Sequence, residues 1–530
     1  MRETNKARVC VPVCVRRADE LRRVVERAAG LADIVELRLD CLEEGQLAPA
    51  RALLGTLLGE TPLPFILTYR PREQGGGRDI SLEERAAFWR ELPEALRDVE
   101  GGDGRERDFV DLELDLLESP SAGSLGELFR KFRVICSQHD FEATPADLEE
   151  LFTRMARTPA EIFKVATKAN SITDCVDVLR LCERGRREGR EVIAVSMGEA
   201  GLLTRVLAPA FGSFLTYASL DGAQATAPGQ ISARELREVY RVDTLSARTL
   251  VAGLVGSPVG HSLSPHTHNA AFAATGLDAV YVPFEVRDPS EFVRRMADPR
   301  TRELGWNLRG LSITAPHKQA IIPHLDRVSE NASAVGAVNT VVVSEERGLE
   351  GYNTDAGAAL APLVRMVEER VVDLCGARVA LVGAGGAARA VLWALGEWGA
   401  WTTVFARDEA KAQAIGEELG ADWEPLEGAR FKHFDIVINA TPLGTRGSRE
   451  TETPALTKQL RGARVAYDLV YNPAETRFLR EARAAGCLTF GGLGMLVAQA
   501  EEQFRLWTGH EPPPGVMRAA AERKLSDAGC

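Results

Sequence analysis

Lys164 lies in the middle of "EIFKVATKAN" (residues 161–170), flanked by apolar residues. Strand-like alternation would put Ile162, Lys164 and Ala166 on one face and Phe163 and Val165 on the other. Burial disfavours an ammonium, so such an amine would be available in its neutral form near pH 7. A neutral amine adds to a ketone or aldehyde to give a Schiff base, which then acts as an electron sink. His139 closes the preceding apolar run, "RVICSQHD", and is a candidate general base across a pocket. Other rows carry matching charge. "DIVELRLD" sets Glu36, Arg38 and Asp40 opposite Val35, Leu37 and Leu39. "FVDLELD" sets Asp111, Glu113 and Asp115 opposite Val110, Leu112 and Leu114, and Arg70 ends "PFILTYR" on the face of Thr68. Glu36, Arg38, Arg70, Glu113 and Lys164 thus form one candidate cluster.

A second set of groups lies beyond residue 250. Lys318 in "LSITAPHKQ" and Asp355 in "GYNTDAGA" each follow an apolar run, and such a pair can relay a proton to a ketone oxygen during reduction. Ser262 and Ser264 in "GHSLSPHTHN" could offer hydroxyls to a polyol or carboxylate. In "ARVALVGAGGAARAVLWALGEWGA" a strand-like run enters Gly383-Ala384-Gly385-Gly386-Ala387-Ala388 and a helical run follows. This is the G-x-G-x-x-A form of the dinucleotide fingerprint, whose glycines let the backbone approach a pyrophosphate at a helix N-terminus. Arg407 and Lys411 follow the next strand-like run and could hold a 2′-phosphate, which favours NADP over NAD; Asp408 between them acts in the opposite sense. No metal site is expected, because His261, His266 and His268 have no acidic or cysteine co-ligands nearby.

These residues need elements to position them. Eight short β-rich runs alternate with amphipathic helical stretches over the first 240 or so residues, which predicts a (β/α)8 barrel with the charged rows facing inward at its C-terminal strand ends. The remainder predicts a two-lobed dehydrogenase, with an α/β substrate lobe and a Rossmann-type nucleotide lobe. The expected divisions are 1–243 for the barrel, 244–352 completed by 491–530 for the substrate lobe, and 353–490 for the nucleotide lobe. With 530 residues the chain is too long for one core. Its net charge of -12 argues against nucleic-acid binding. No apolar run is long enough for a membrane span. Nine dispersed cysteines with no C-x-x-C pair, and no secretory pattern at the N-terminus, lead to the expectation of reduced thiols in the cytoplasm. The sequence carries no signal for oligomeric state.

Residues 8–240 resemble a type I 3-dehydroquinate dehydratase, through "ELRLD", "TYRPREQGG", "SQHDFEATP", "IFKVATKA", "SMGEAGLLTR" and "FGSFLTYASLDGAQATAPGQ" in family order. The resemblance implies that Lys164 forms an imine with the C3 ketone of 3-dehydroquinate while His139 removes a C2 proton and helps the C1 hydroxyl leave. It also implies that Glu36, Arg38, Arg70, Arg205, Thr226 and Gln230 hold the substrate. Gln74 stands where the family often has a glutamate that orients the histidine, and Thr226 where serine is common. Residues 250–530 resemble shikimate dehydrogenase, through "GHSLSPHTHN", "SITAPHK", "GAVNT", "NTDAGA", "GAGGAARA", "NATPLG", "YDLVYNP" and "GLGMLVAQA". Here the resemblance implies that Ser262, Ser264, Thr314, Lys318, Asn339, Asp355, Tyr471 and Gln499 bind substrate, with Lys318 and Asp355 assisting catalysis. Gly383, Ala384, Gly385, Gly386, Ala387, Arg407, Lys411, Leu469 and Gly492 would contact NADP. Together the halves imply dehydration of 3-dehydroquinate to 3-dehydroshikimate, then NADPH-dependent reduction to shikimate. Two alternatives stand beside this reading: quinate as the second substrate, and one half serving as a non-catalytic ligand sensor.

Overall fold

The structure is a computed structural model that describes residues 7–96, 106–221, 229–368 and 373–527. The chain divides into two compact units. One comprises Met1–Leu250, Asp278–Met296 and Thr301–Asn307; the other comprises Val251–Leu277, Ala297–Arg300 and Leu308–Cys530.

The first unit contains an eight-stranded parallel sheet of β1 (Val9–Val13), β2 (Ile34–Arg38), β3 (Phe65–Thr68), β4 (Phe109–Glu113), β5 (Arg133–Asp140), β6 (Ile162–Lys168), β7 (Glu191–Met197) and β8 (Thr216–Tyr217). The order β7-β6-β5-β4-β3-β2-β1-β8 is that of the predicted barrel. A Val192–Ser213 bridge joins β7 to the approach of β8, and the Phe214 N–H donates to the Val192 carbonyl at 2.7 Å. Helices between the strands, such as Leu21–Ala29 and Asp174–Glu188, pair apolar residues at helical spacing with a charged outer face. The interior changes character along its axis. Cys10, Ile34, Ile66, Phe109, Ile135, Ile162 and Ile193 form an apolar layer at the N-terminal end. Two residues further along the same strands stand Glu36, Thr68, Asp111, Ser137 and Lys164, all buried. The inward charged rows are as the alternation predicts.

The expectation of nine free thiols fails at Cys14 and Cys41, which are joined in a disulfide. β1 and β2 are parallel neighbours with Val13 opposite Leu37, so the chain leaves both strands side by side at the same end. Parallel pairing therefore brings together cysteines 27 residues apart, which sequence spacing alone does not reveal.

The remaining strands form two sheets. The first is mixed, with order β10-β9-β11-β13-β14-β12, built from β9 (Leu250–Gly256), β10 (Ala279–Glu285), β11 (Asn307–Ile313), β12 (Arg327–Val328), β13 (Thr340–Ser344) and β14 (Gly348–Tyr352). The second is parallel, with order β17-β16-β15-β18-β19-β20, built from β15 (Arg378–Val382), β16 (Trp401–Ala406), β17 (Asp422–Pro425), β18 (Ile436–Asn439), β19 (Val465–Asp468) and β20 (Leu488–Phe490). Strand order reverses beside β15, which is where doubly wound folds bind nucleotides. The long helix Leu493–Thr508 returns to the first of these sheets: Trp507 Nε1 donates to the Val341 carbonyl at 3.1 Å. Among the described residues, no helix is long and apolar enough to cross a membrane.

Candidate active sites

Lys164 is 4% exposed and faces the barrel interior from the middle of β6. Its Nζ donates to Asp111 Oδ2 and to the Tyr217 hydroxyl, each at 2.8 Å, and lies 3.7 Å from Glu36 Oε1. The amine is buried, as expected, but it is gripped by two partners that the sequence reading left out of the cluster. Asp111 belongs to the same alternating row as Glu113 and could have been chosen from it. Tyr217 comes from β8, whose two residues give no alternation to read. Arg70 bridges the cluster, lying 2.6 Å from Asp111 Oδ2 and 3.3 Å from Glu113 Oε1. Glu113 also accepts from Arg85 at 3.0 Å. Arg85 lies on the helix Leu82–Ala95, and no motif marks it. A carboxylate sealed at this depth needs such partners, because a lone buried charge costs several kcal/mol. Even so, burial wins at Glu113 and raises its carboxyl to about 7. Asp111 is pulled the other way by Arg70 and Lys164, which more than offset its own burial.

His139, near the C-terminal end of β5, is held well below its ordinary value by burial first, then by the Arg70 and Lys164 charges. It is therefore a neutral imidazole at neutral pH, the form that a general base requires. Its buried Nδ1 bonds to no described protein atom. Gln74 Oε1 accepts from the His139 backbone N–H at 2.9 Å, so this residue orients the strand end rather than the ring. Arg38 is clamped by Asp40 (3.0 and 2.7 Å) and also donates to the Gly75 carbonyl at 3.1 Å. Thr68 donates to Glu36 at 2.7 Å. Arg205, on the helix Leu202–Leu207 after β7, is almost fully buried, which lowers its value to about 10. Gln230 follows Gly229, where an added Cβ would come 2.5 Å from the Gly198 carbonyl beyond β7, so it too sits at the C-terminal end. Thr226 lies outside the described residues.

In the other unit Lys318 and Asp355 form an ion pair. Asn339, 2% exposed, donates from Nδ2 to the Thr354 hydroxyl at 2.9 Å, and its Oδ1 accepts from the Thr354 N–H at 2.8 Å. The Val338 N–H donates to the Lys318 carbonyl at 2.8 Å, which ties the segments carrying Lys318 and Asn339 together. Ser262 Oγ accepts from the Ser264 N–H at 3.2 Å. Burial raises the Tyr471 phenol, and its hydrogen bond with Ser262 opposes that rise, so these two predicted residues meet. Thr314 follows β11, packed where Gly256 leaves no room for a Cβ, which would lie 2.3 Å from Thr314 Cγ2. Gln499 lies on the helix Leu493–Thr508, one turn before Gln503. The latter, absent from the sequence reading, donates to the Thr340 hydroxyl at 3.0 Å and accepts from Ser312 at 2.8 Å.

The fingerprint turn fits a dinucleotide. Gly383 has φ +123°, and a Cβ there would come 2.9 Å from the Ala440 carbonyl, so only glycine suits the position. A Cβ at Gly385 would meet nothing within 4 Å, which leaves the helix N-terminus open to a phosphate. A Cβ at Gly492 would come 2.1 Å from the Leu469 carbonyl, which puts these two predicted residues in contact. Arg407 is exposed; the Lys411 ammonium lies 3.4 Å from Asp408, whose carboxylate caps the helix Glu409–Leu419. A cavity of 560 Å³ takes in Tyr471, Gly492 and Phe490 but not Lys318, Asn339 or Asp355, so it does not by itself mark the reacting centre.

The fold and sites define an amine-bearing parallel barrel joined to a two-lobed, nucleotide-dependent dehydrogenase. Residues 9–247 match the type I 3-dehydroquinase family. Residues 254–341 match the shikimate dehydrogenase substrate binding domain, and 492–522 the shikimate 5′-dehydrogenase C-terminal domain. The chain is 32% identical over 525 residues to a bifunctional 3-dehydroquinate dehydratase/shikimate dehydrogenase, chloroplastic, of Arabidopsis thaliana, covering 96% of this chain and 83% of that one. It is 43% identical over 284 residues to a shikimate dehydrogenase (NADP(+)) of Moorella thermoacetica, covering 52% and 92%. A crystal structure of shikimate 5-dehydrogenase from Thermus thermophilus in complex with NADP(H) and shikimate is 39% identical, covering 52% and 98% with a TM-score of 0.44. The chain belongs to the family of bifunctional 3-dehydroquinate dehydratase/shikimate dehydrogenases.

Proposed function

We propose that the barrel dehydrates 3-dehydroquinate and that the two-lobed unit reduces the resulting 3-dehydroshikimate to shikimate. The observation that carries the first half is the sealed amine beside a neutral imidazole. Lys164 Nζ would add to the C3 carbonyl and expel its oxygen as water, forming an imine. His139 would then take a C2 proton and return it to the C1 hydroxyl, which leaves as a second water. Water closes the cycle by hydrolysing the imine and freeing the ketone product. Arg38, Arg70 and Arg205 would hold the substrate carboxylate and hydroxyls, with Glu36, Thr226 and Gln230 completing the set.

In the two-lobed unit, NADPH would supply a hydride when bound at Gly383, Ala384, Gly385, Gly386 and Ala387, with Leu469 and Gly492 as further contacts and Arg407 and Lys411 at the 2′-phosphate. Lys318 would protonate the ketone oxygen, with Asp355 holding the ammonium in place. Ser262, Ser264, Thr314, Asn339, Tyr471 and Gln499 would orient the substrate. The dispersed cysteines and the N-terminal pattern favour the cytoplasm, although Cys14 and Cys41 are paired.

Borohydride added during turnover of 3-dehydroquinate should fix an adduct on the Lys164 peptide. Lys164→Ala should abolish both the adduct and the dehydratase while sparing shikimate oxidation. An adduct on Lys168 instead, or none at all, overturns the reading.

A further inference from the structure

Gly386 and Arg389 stand three residues apart on the helix Gly386–Glu397 and so share a face. A Cβ on Gly386 would come 3.1 Å from Lys318 Cδ and 3.4 Å from its Cβ. The stem of the lysine therefore lies against the first turn of the nucleotide helix. One turn further on, Arg389 is 7% exposed. Its Nε donates to the Val335 carbonyl at 2.7 Å, and its Nη2 pairs with Glu418. Val335 ends the helix Glu330–Val335, and the next residue, Gly336, has φ +65°. A Cβ on Gly336 would come 2.5 Å from Arg389 Nη2, so the backbone there is shaped around the guanidinium. Beside this contact Ala390 packs with Val335, Ala337 and Ala356. Ala337 leads into Val338, tied to the Lys318 carbonyl, and then into Asn339; Ala356 follows Asp355. Three segments, bearing Lys318, Asn339 and Asp355, thus rest on one face of the helix that follows the fingerprint turn.

We propose that Arg389 is a positioning residue for the ketone reduction. It bonds to the Val335 carbonyl and thereby holds the Lys318, Asn339 and Asp355 segments in register with the nucleotide helix. Gly386 leaves the space in which the stem of Lys318 must lie. The inference rests on the reading of Lys318 as the proton donor. Hydride transfer is sensitive to such register, because a displacement of about 1 Å in a reacting group can cost about 100-fold in rate.

The test uses the full chain, with shikimate and NADP+ as probes and the dehydratase activity as an internal control of folding. Arg389→Lys keeps a cation for Glu418 but replaces the planar fork with a point donor. It should lower kcat for shikimate oxidation by about 10- to 100-fold, with the KM for NADP+ moving less than about threefold. Gly386→Ala should lower kcat likewise, with the KM for NADP+ rising as well because the residue also belongs to the nucleotide turn, and Glu418→Gln, which removes only the ion pair, should stay within about twofold of the parent kcat. A parent-like kcat in Arg389→Lys, or a loss confined to the KM for NADP+, overturns the proposal. If Arg389→Lys loses its fold, Gly386→Ala decides: an unchanged kcat there overturns it too. Lys318→Ala separates the two levels. If that variant stays fully active, the reading of the site fails; if it is dead while Arg389→Lys is fully active, only this inference fails.

Discussion

His139 shows how burial sets a residue's chemistry. Its folded value is held well below about 6.5, the ordinary value of an imidazole in the unfolded chain. Above that pH both states are neutral and the residue costs the fold nothing. As pH falls below it, the unfolded chain takes up a proton that the folded site resists, so stability is lost. Thermal unfolding of the barrel should therefore be more acid-sensitive in the parent than in His139→Gln between about pH 6.5 and 4.5. Equal sensitivity in the two proteins would contradict a depressed value. The acid limb of dehydratase kcat/KM should likewise not fall at the ordinary imidazole value. At this scale the sequence revealed much: Lys164, Glu36, Arg38, Arg70 and Glu113 were readable from two-residue alternation, and His139 from its place at the end of a strand-like run. Arg85 was not, because it reaches Glu113 from a helix, and alternation within a strand says nothing about which helix lies behind it.

Elements decide where these groups can stand. The barrel interior is apolar at one end and polar at the other because β2, β4 and β6 each carry an apolar residue two positions before a charged one: Ile34 precedes Glu36, Phe109 precedes Asp111 and Ile162 precedes Lys164. The fingerprint turn makes a comparable demand on backbone. Gly383→Ala should cost about 1 kcal/mol or more, because alanine is strained at φ +123° and its Cβ would press on the Ala440 carbonyl. Differential scanning calorimetry and the KM for NADP+ read this out: the dehydrogenase should lose both stability and nucleotide affinity while the dehydratase is unaffected. An alanine variant with parent values in both would show that the turn adopts another conformation. The strand–turn–helix pattern made this glycine readable in sequence; the packing of Gly386 against Lys318 was not, because it depends on a chain segment almost 70 residues away.

At the scale of the whole molecule, two chemistries share one chain and the product of one is the substrate of the other. Each should survive loss of the other. A mixture of Lys164→Ala and Lys318→Ala chains should convert 3-dehydroquinate to shikimate with NADPH, with 3-dehydroshikimate passing through solution, whereas neither variant alone completes the sequence. Failure of the mixture, with each variant keeping its remaining activity, would show that the intermediate does not reach a second chain.

The sequence by itself determined the order of elements, the polar rows of the barrel, the dinucleotide turn and most of the groups proposed to react, because periodicity and turn chemistry are properties of neighbouring residues. Only the tertiary structure decided what those groups touch: Asp111 and Tyr217 on Lys164, Arg85 behind Glu113, Cys14 bonded to Cys41, and the seating of Lys318 on the nucleotide helix. Each of these pairs joins residues from different elements, and their meeting is fixed by how strands and helices pack rather than by any local pattern.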